Sequence, residues 1–219
     1  MDYQALYSTK SSNYYSGKRD DILNYLPENL NLVLDVGCSS GEFGKLLKQR
    51  GLTVWGVEPD TASAEEAKSK LDRVINELFD DKLLDVFGDV QFDCIFFNDV
   101  LEHLVDPEAA LALCKKILKP GGYVISAIPN VLQYGNIVNI LKTQDWQYTD
   151  QGILDKTHLR FYTKKSIVRL FRQCEYDLIS IDGTYATCSK KFILLNYLLF
   201  NKFESMKYTH FISVAKKPD

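Results

Sequence analysis

The chain carries an acidic, glycine-punctuated run, Asp35-Val36-Gly37-Cys38-Ser39-Ser40-Gly41-Glu42-Phe43-Gly44. A second carboxylate, Glu58, followed by Pro59, comes about twenty residues later, the distance at which a ribose-binding acid follows a glycine loop. Glycines there let a ligand approach the backbone where a side chain would block it. A dinucleotide site wants G-x-G-x-x-G with a helix N-terminus facing a pyrophosphate. Here Cys38 stands at the middle glycine and Asp35 precedes the loop. A carboxylate repels a pyrophosphate and attracts an ammonium group. Asp35, Gly37, Cys38, Ser39, Gly41, Glu58 and Pro59 are therefore expected to hold a ligand with a ribose and a cationic amino-acid end. A second cluster, Asp99, Glu102 and His103, has an acid-x-x-acid-His spacing. Residues three and four apart share a face of a helical turn, and His158 could join them from later in the chain. His103, His158 and Asp99 are the candidate groups for taking a proton from a substrate hydroxyl. Asp99, Glu102, His103 and His158 are equally a candidate set for Mg²⁺, Mn²⁺ or Zn²⁺, which would lower the pKa of a bound hydroxyl. The structural alternatives are a packing residue for His103 and a loop hydrogen bond for His158. His210, in the last strand, reads as structural or exposed.

These residues need elements to position them. Leu32 to Val36 is an apolar run bounded by Gly37 and reads as a buried strand, and Gly41 to Gln49 reads as the helix that follows it. Thr53 to Val57, Arg73 to Ile75, Asp93 to Phe97 and Tyr123 to Ile128 read as further strands. Thr61 to Lys70, a weak Phe79 to Val86 and Pro107 to Leu118 read as the helices between them, and Lys119 to Gly122 as a turn. Repeated β-then-α units imply right-handed crossovers and a doubly wound α/β fold. The expected sheet is mostly parallel and seven-stranded, with an antiparallel last strand. Arg19 to Leu26 reads as a short amphipathic helix ended by Pro27, and Asn130 to Arg160 as an insertion without clear period over the sheet's carboxyl edge. Thr163 to Gln173 reads as a capped helix, and Leu178 to Thr184 and Tyr208 to Ala215 as the last strands. Lys190 to Phe203 is a helix apolar nearly all round. It reads as a buried helix or a homodimer contact, with a lid at a membrane surface as the sharper alternative.

Composition narrows the class. A chain of 219 residues suits one domain, 46% hydrophobic and 25% charged. We divide it into an N-terminal cap and helix (1–30), a cofactor-binding core (31–129), the insertion (130–160) and a C-terminal part (161–219). A formal net charge of −3 gives no basic surface for nucleic acid, and the Lys164, Lys165, Arg169 and Arg172 group reads as a solvated face. Five scattered cysteines without a C-x-x-C suit a reducing, cytoplasmic setting. The start of the chain is polar and Tyr-rich, without the apolar stretch of a signal peptide, and no apolar run reaches the length of a membrane span.

Four motifs carry a family resemblance. Leu34 to Gly44 resembles motif I of class I S-adenosylmethionine-dependent methyltransferases, and Glu58 their ribose-binding acid. Phe92 to Leu104 resembles the strand-four motif of the type 11 and type 23 methyltransferase-domain families, and Leu118 to Gly122 resembles their entry to strand five. Together these cover about Leu32 to Ile128, in the family's order. Leu154 to Thr163 resembles a narrower group that includes bacterial methyltransferases of unassigned substrate. The chain departs from motif I at Cys38 and Ser39, which fits if those backbones need only ordinary φ values.

The resemblance implies a Rossmann-like fold and S-adenosyl-L-methionine as methyl donor. It assigns Glu77 to the adenine amino group, with Gly88-Asp89 as the alternative, and adds Asn98 and Tyr15 to the cofactor set. Tyr14 and Tyr15 would close over the cofactor. Pro129, Asn130, Trp146, Tyr148, Arg160 and Tyr162 are candidate walls for the acceptor. The acceptor is expected to be a small molecule or glycan precursor, methylated on oxygen. The resemblance to ubiquinone-pathway O-methyltransferases makes a quinone or other lipid-like acceptor the alternative, with weak membrane-surface contact. The acid-x-x-acid-His pattern also resembles the metal site of small-RNA 3′-terminal 2′-O-methyltransferases, whose first acid is Glu. A non-catalytic module that binds cofactor or partner could share this fold.

Overall fold

The computed structural model describes residues 19–186 and 189–218. Seven strands form one sheet in the order β3-β2-β1-β4-β5-β7-β6. They are β1 (Leu32–Val36), β2 (Thr53–Val57), β3 (Arg73–Ile75), β4 (Phe92–Asn98), β5 (Leu118–Pro129), β6 (Asp177–Ala186) and β7 (Tyr208–Lys216). β1 to β5 are parallel, and β7 is antiparallel to both β5 and β6. This is the expected doubly wound, mostly parallel sheet with an antiparallel last strand.

Both faces of the sheet are covered, which is why its central strands are apolar throughout. β4 reads Phe-Asp-Cys-Ile-Phe-Phe-Asn, with Phe92 and Cys94 to Phe97 all fully buried. On one face α3 (Leu83–Phe87), α4 (Pro107–Ile117) and α6 (Lys164–Gln173) pack through Phe87, Leu111, Ile117, Ile167 and Phe171. On the other, a 3₁₀ turn (Asp20–Tyr25), α1 (Glu42–Gln49) and α2 (Thr61–Ala67) pack through Ile22, Phe43, Leu47 and Ala67. Side chains fix several helix starts. Asp60 accepts from Ser63 N, Asp106 accepts from Ala109 N ahead of Pro107, and Thr163 and Ser166 form a capping box.

Several elements differ from the sequence reading. The first helix is a single 3₁₀ stretch, α2 ends at Ala67, and α3 begins only at Leu83. Lys119 to Gly122 does not break the sheet: it lies within β5, where the register with β4 shifts between Phe92 and Cys94. The insertion holds a helix, α5 (Tyr134–Thr143), started by Gln133, whose side chain accepts from Asn136 N. Gly135, Asn136 and Asn139 are weak helix formers and hide it, and none of its residues is buried. The apolar helix α7 is shorter than expected (Lys190–Leu198), and within the chain it is not a core helix. Only Phe192 and Asn196 are buried, because the helix connects β6 to β7 at the border of the sheet, where nothing lies over it. No helix among the described residues is long and apolar enough to cross a membrane.

Candidate functional site

The carboxyl ends of β1, β2 and β4 open into one cleft of about 680 Å³. Its walls include Asp35, Gly37, Cys38, Ser39, Glu58, Pro59, Asn98, Asp99, Glu102, His103 and His158. Eleven of the expected site residues lie in one continuous space, although the outermost, Asp35 and His158, are more than about a hundred residues apart in the sequence.

At the β1 end, the loop is pinned to β2: Gly37 N and Cys38 N both donate to Val57 O. Gly37 has φ +69°, and a Cβ there would meet Val100 Cγ2 at 2.6 Å, so this glycine is required twice over. Ser39 also occupies the left-handed region, at φ +50°, against the expectation of ordinary backbone. Its N–H donates to Glu58 Oε2 at 2.9 Å, which holds the strained residue in place. Cys38 is buried with its Sγ packed toward Gly56, and burial pushes its thiol well up. Its contribution to the cleft is backbone and bulk, not a reactive sulfur.

The two carboxylates of this half differ. Glu58 accepts from Ser39 N and Asp60 N, one bond to each oxygen, which leaves each oxygen further lone-pair capacity toward the cleft. Asp35 is 2% exposed, and its Oδ2 has no hydrogen-bond partner. Burial, then the nearby Glu58 charge, pushes its pKa up to about 8. Asn98 likewise presents both side-chain atoms buried and unpartnered at the end of β4. Buried polar atoms are rarely left unsatisfied in a folded protein. These fit a ligand that brings an ammonium and hydroxyl groups.

The other half forms where β4 ends in a 3₁₀ turn, Leu101–His103. The insertion is tied to this turn: Leu159 N and Arg160 N both donate to Glu102 O, at 2.9 and 3.0 Å. His103 Nδ1 contacts Thr157 O at 3.1 Å, and His158 Nδ1 contacts Ile153 O at 3.0 Å. A carbonyl only accepts, so each Nδ1 carries a proton, and in a neutral ring Nε2 then holds the lone pair. The two rings stand edge to face, 4.7 Å apart. Glu102 is 1% exposed, both its carboxylate oxygens lack a hydrogen-bond partner, and its Oε1 lies 3.9 Å from His158 Nε2. Burial, then the charge of Asp99, raises the Glu102 pKa well above the carboxylate range. Burial and the neighbouring His158 lower His103 to about 4, so its imidazole is neutral. One ligand-type atom from each of Glu102, His103 and His158 falls within 4.8 Å of the others.

Other expected residues are placed differently. Asp99 is not part of that convergence. It has φ +55°, its carboxylate accepts from Arg19, with the Arg19 Nε contact at 2.9 Å, and its Oδ1 lies 3.4 Å from His210 Nε2. Arg19 and His210 hold it ionised, below the usual carboxylate range. Gly41 (φ +81°) lies outside the cleft, where its missing Cβ admits Ala67 of α2 at 3.2 Å. Glu77 is exposed and off the cleft, as is Asp89. Asn76 folds back, donating to Glu58 O and Pro59 O, and the chain then delivers Leu78, Phe79 and Asp80 to the cleft instead. Among the acceptor-wall candidates only Pro129 lines the space. Asn130 is buried under Ser205 O and Tyr208 O, Tyr162 belongs to the core, Arg160 donates to Val105 O, and Trp146 and Tyr148 are exposed. Tyr14 and Tyr15 lie outside the described residues. The sequence reading missed Arg19 and His210 at this site. Only the β5–β7 pairing, which sets Pro129 opposite His210, brings the latter in.

Comparison with known proteins adds a match to the methyltransferase domain family over residues 10–181. The chain belongs to that family. Among relatives of this methyltransferase domain, a ubiquinone biosynthesis O-methyltransferase of Pseudomonas fluorescens is 31% identical over 116 residues, 49% of this chain and 50% of that protein. Its counterpart in Alkalilimnicola ehrlichii is 27% identical over 179 residues, 76% of this chain and 71% of that protein. The chain thus spans about half the length of the first relatives it matches. A solved structure described as a SAM-dependent methyltransferase from Archaeoglobus fulgidus superposes with a TM-score of 0.70 at 20% identity. That superposition covers 99% of this chain and 100% of the other, and establishes the fold.

Proposed function

We propose that this chain is an S-adenosylmethionine-dependent O-methyltransferase acting on a hydroxyl-bearing small molecule. The observation that carries the reading is the shared cleft. A buried Asp35 with one unpartnered oxygen occupies one half with Glu58 and Asn98, and the imidazoles of His103 and His158 beside the buried carboxyl of Glu102 occupy the other. Asp35 would take the donor's ammonium, Glu58 its ribose hydroxyls, and Leu78 and Phe79 would flank its adenine. When bound, S-adenosylmethionine supplies a methyl group on a sulfonium, which leaves as a neutral thioether. The chain's task is to hold an acceptor oxygen in line with that methyl, an alignment worth about 7–11 kcal/mol of barrier in favourable cases. As the oxygen–carbon bond forms, the hydroxyl proton passes to Nε2 of His103 or His158, and the developing imidazolium favours ionisation of the Glu102 carboxyl beside it.

A second reading has its own support. The convergence of the Glu102 carboxyl with the imidazoles of His103 and His158 also fits a divalent cation, Mg²⁺, Mn²⁺ or Zn²⁺, with Thr157 O and Ile153 O orienting the two rings. Such an ion would be held by Glu102, His103 and His158 and would supply Lewis acidity toward the acceptor hydroxyl. Asp99, engaged by Arg19 and His210, falls outside this set. For the acceptor, the likeness to ubiquinone-pathway enzymes supports a quinone or other lipid-like phenol over a glycan precursor.

Titration calorimetry with S-adenosylhomocysteine and with NADH tests the donor half. S-adenosylhomocysteine alone should bind. Turnover of a panel of phenols, sugar hydroxyls and amines, followed by S-adenosylhomocysteine release, tests the acceptor half. Turnover confined to amines overturns O-methylation.

A further inference from the structure

The strongest unassigned feature lies beside the cleft, on the connection between β6 and β7. Helix α7 and the turn after it expose Ile193, Leu194, Leu195, Tyr197, Leu198 and Phe200, with Tyr197 70% and Phe200 95% exposed. Folded chains rarely present so many large apolar side chains together without a partner for them. The exposure is not one stripe. Only the Phe192 and Asn196 side faces the protein, where Phe192 meets Tyr134 of α5 and Asn196 bonds Phe203 N and Glu204.

The unpaired charges on this helix and the turn after it have one sign. Lys190, Lys191 and Lys202 are exposed and have no ion-pair partner among the described residues, while Glu204 is taken by Lys207. The sheet topology sets where the helix sits. Ala186 at the end of β6 pairs with Tyr208 at the start of β7, and Pro129 at the end of β5 pairs with His210. The chain therefore leaves and re-enters the sheet at the carboxyl edge, the edge that carries the cleft, and His210 lines the cleft itself. Helix α5 follows β5 on the same edge and exposes Leu141, with Trp146 after it.

We infer that α7 and the turn after it dock this edge of the protein onto an anionic lipid bilayer. A second copy of the chain would cover one stripe of a nine-residue helix and leave the remaining apolar side chains wet. The interfacial region of a bilayer surrounds such a helix on every outward side. The helix is too short to span the membrane and would lie within the interface, its lysines at the headgroups. The cleft mouth then faces the layer from which an amphiphilic acceptor would come. The docking itself does not depend on which acceptor is used.

The test is co-flotation of the full chain with phosphatidylcholine vesicles, with and without phosphatidylglycerol. Binding is expected with the anionic mixture and to be far weaker with phosphatidylcholine alone. Lys190→Gln/Lys191→Gln/Lys202→Gln should weaken anionic-vesicle binding about a hundredfold, at about fivefold per lysine. Leu194→Ser/Leu198→Ser/Phe200→Ser should abolish it. Both variants should keep the wild-type melting temperature and S-adenosylhomocysteine affinity, which separates lost docking from lost fold or donor binding. Absence of binding to anionic vesicles overturns the inference. So does binding that the apolar variant retains, or sedimentation showing a second copy seated on α7 and released by that variant.

Discussion

Replacing Asp35 by Asn should stabilise the ligand-free protein and weaken donor binding, with both effects growing as pH rises. The side chain is 2% exposed, one oxygen is unpartnered, and its pKa sits at about 8 instead of 3.8. A carboxyl raised in the folded state gives stability that is complete below its unfolded pKa and is lost as pH rises through the folded value. Between those limits the loss runs at about 1.4 kcal/mol per pH unit. From about pH 6 to about pH 8 the wild type should thus lose on the order of 2 kcal/mol through this residue, and Asp35→Asn should not. Ligand affinity runs the other way. If a cationic ammonium binds only ionised Asp35, the competent fraction rises from about one in a hundred at about pH 6 to about half at about pH 8. S-adenosylhomocysteine affinity of the wild type should rise roughly fifty-fold across that window, and that of Asp35→Asn should stay flat and weak. Thermal unfolding and calorimetry at matched pH values read both. Parallel stability curves for the two proteins, or a wild-type affinity that does not change with pH, would refute the argument.

Glu58→Ala removes the acceptors for Ser39 N–H, Asp60 N–H and a ligand ribose, so S-adenosylhomocysteine affinity should fall at least about tenfold, measured by calorimetry. If a cation is bound at Glu102, His103 and His158, activity should vanish in excess chelator and return with Mg²⁺, Mn²⁺ or Zn²⁺; full activity under chelation would leave the imidazole-base reading. His158→Ala should lower turnover under either reading, and an undisturbed rate would exclude this residue from the chemistry. Hydrogen exchange should slow on binding of donor and acceptor across residues 141–150, which are all exposed, and change little at Leu154 to His158, which are mostly buried in the ligand-free protein.

The candidate donor half of the cleft was legible as geometry because its parts are local. Asp35, Gly37 and Glu58 sit at strand ends that periodicity alone identifies, and glycine spacing tells a backbone that must pass close to a ligand. Gly41 shows the limit of that reasoning: it was read as room for a ligand to approach the backbone, yet the neighbour its missing Cβ admits is α2. Glu77 failed for a related reason. The turn after β3 is set by Asn76 bonding back to Glu58 O and Pro59 O, a tertiary contact with no local signal. The acceptor half was legible in composition but not in arrangement. Glu102, His103 and His158 were found together by residue type, whereas the separation of Asp99 from them depends on Arg19 and His210, 80 residues before it and at the far end of the chain. The exposure of α7 was not readable either, since an all-apolar helix has the same sequence whether a core or a foreign surface covers it.

The carbonyl of Glu102 accepts two amides from the insertion and the ring of His103 meets Thr157 O, so the turn that bears the candidate chemistry and the segment that roofs it are joined at neighbouring points. Among the described residues, no hydrogen bond ties the candidate donor groups Asp35, Glu58 and Asn98 to that roof. Across divergent descendants of this fold, the stretch between Asn130 and Gly152 could therefore be exchanged, lengthened or recoloured in charge, while the anchor at Leu159 and Arg160 kept His158 opposite His103. Novelty in the molecule being modified would then arise by rewriting a span that bears neither the candidate proton-handling groups nor the candidate donor contacts, a division that allows inheritance of the reaction alongside turnover of its target.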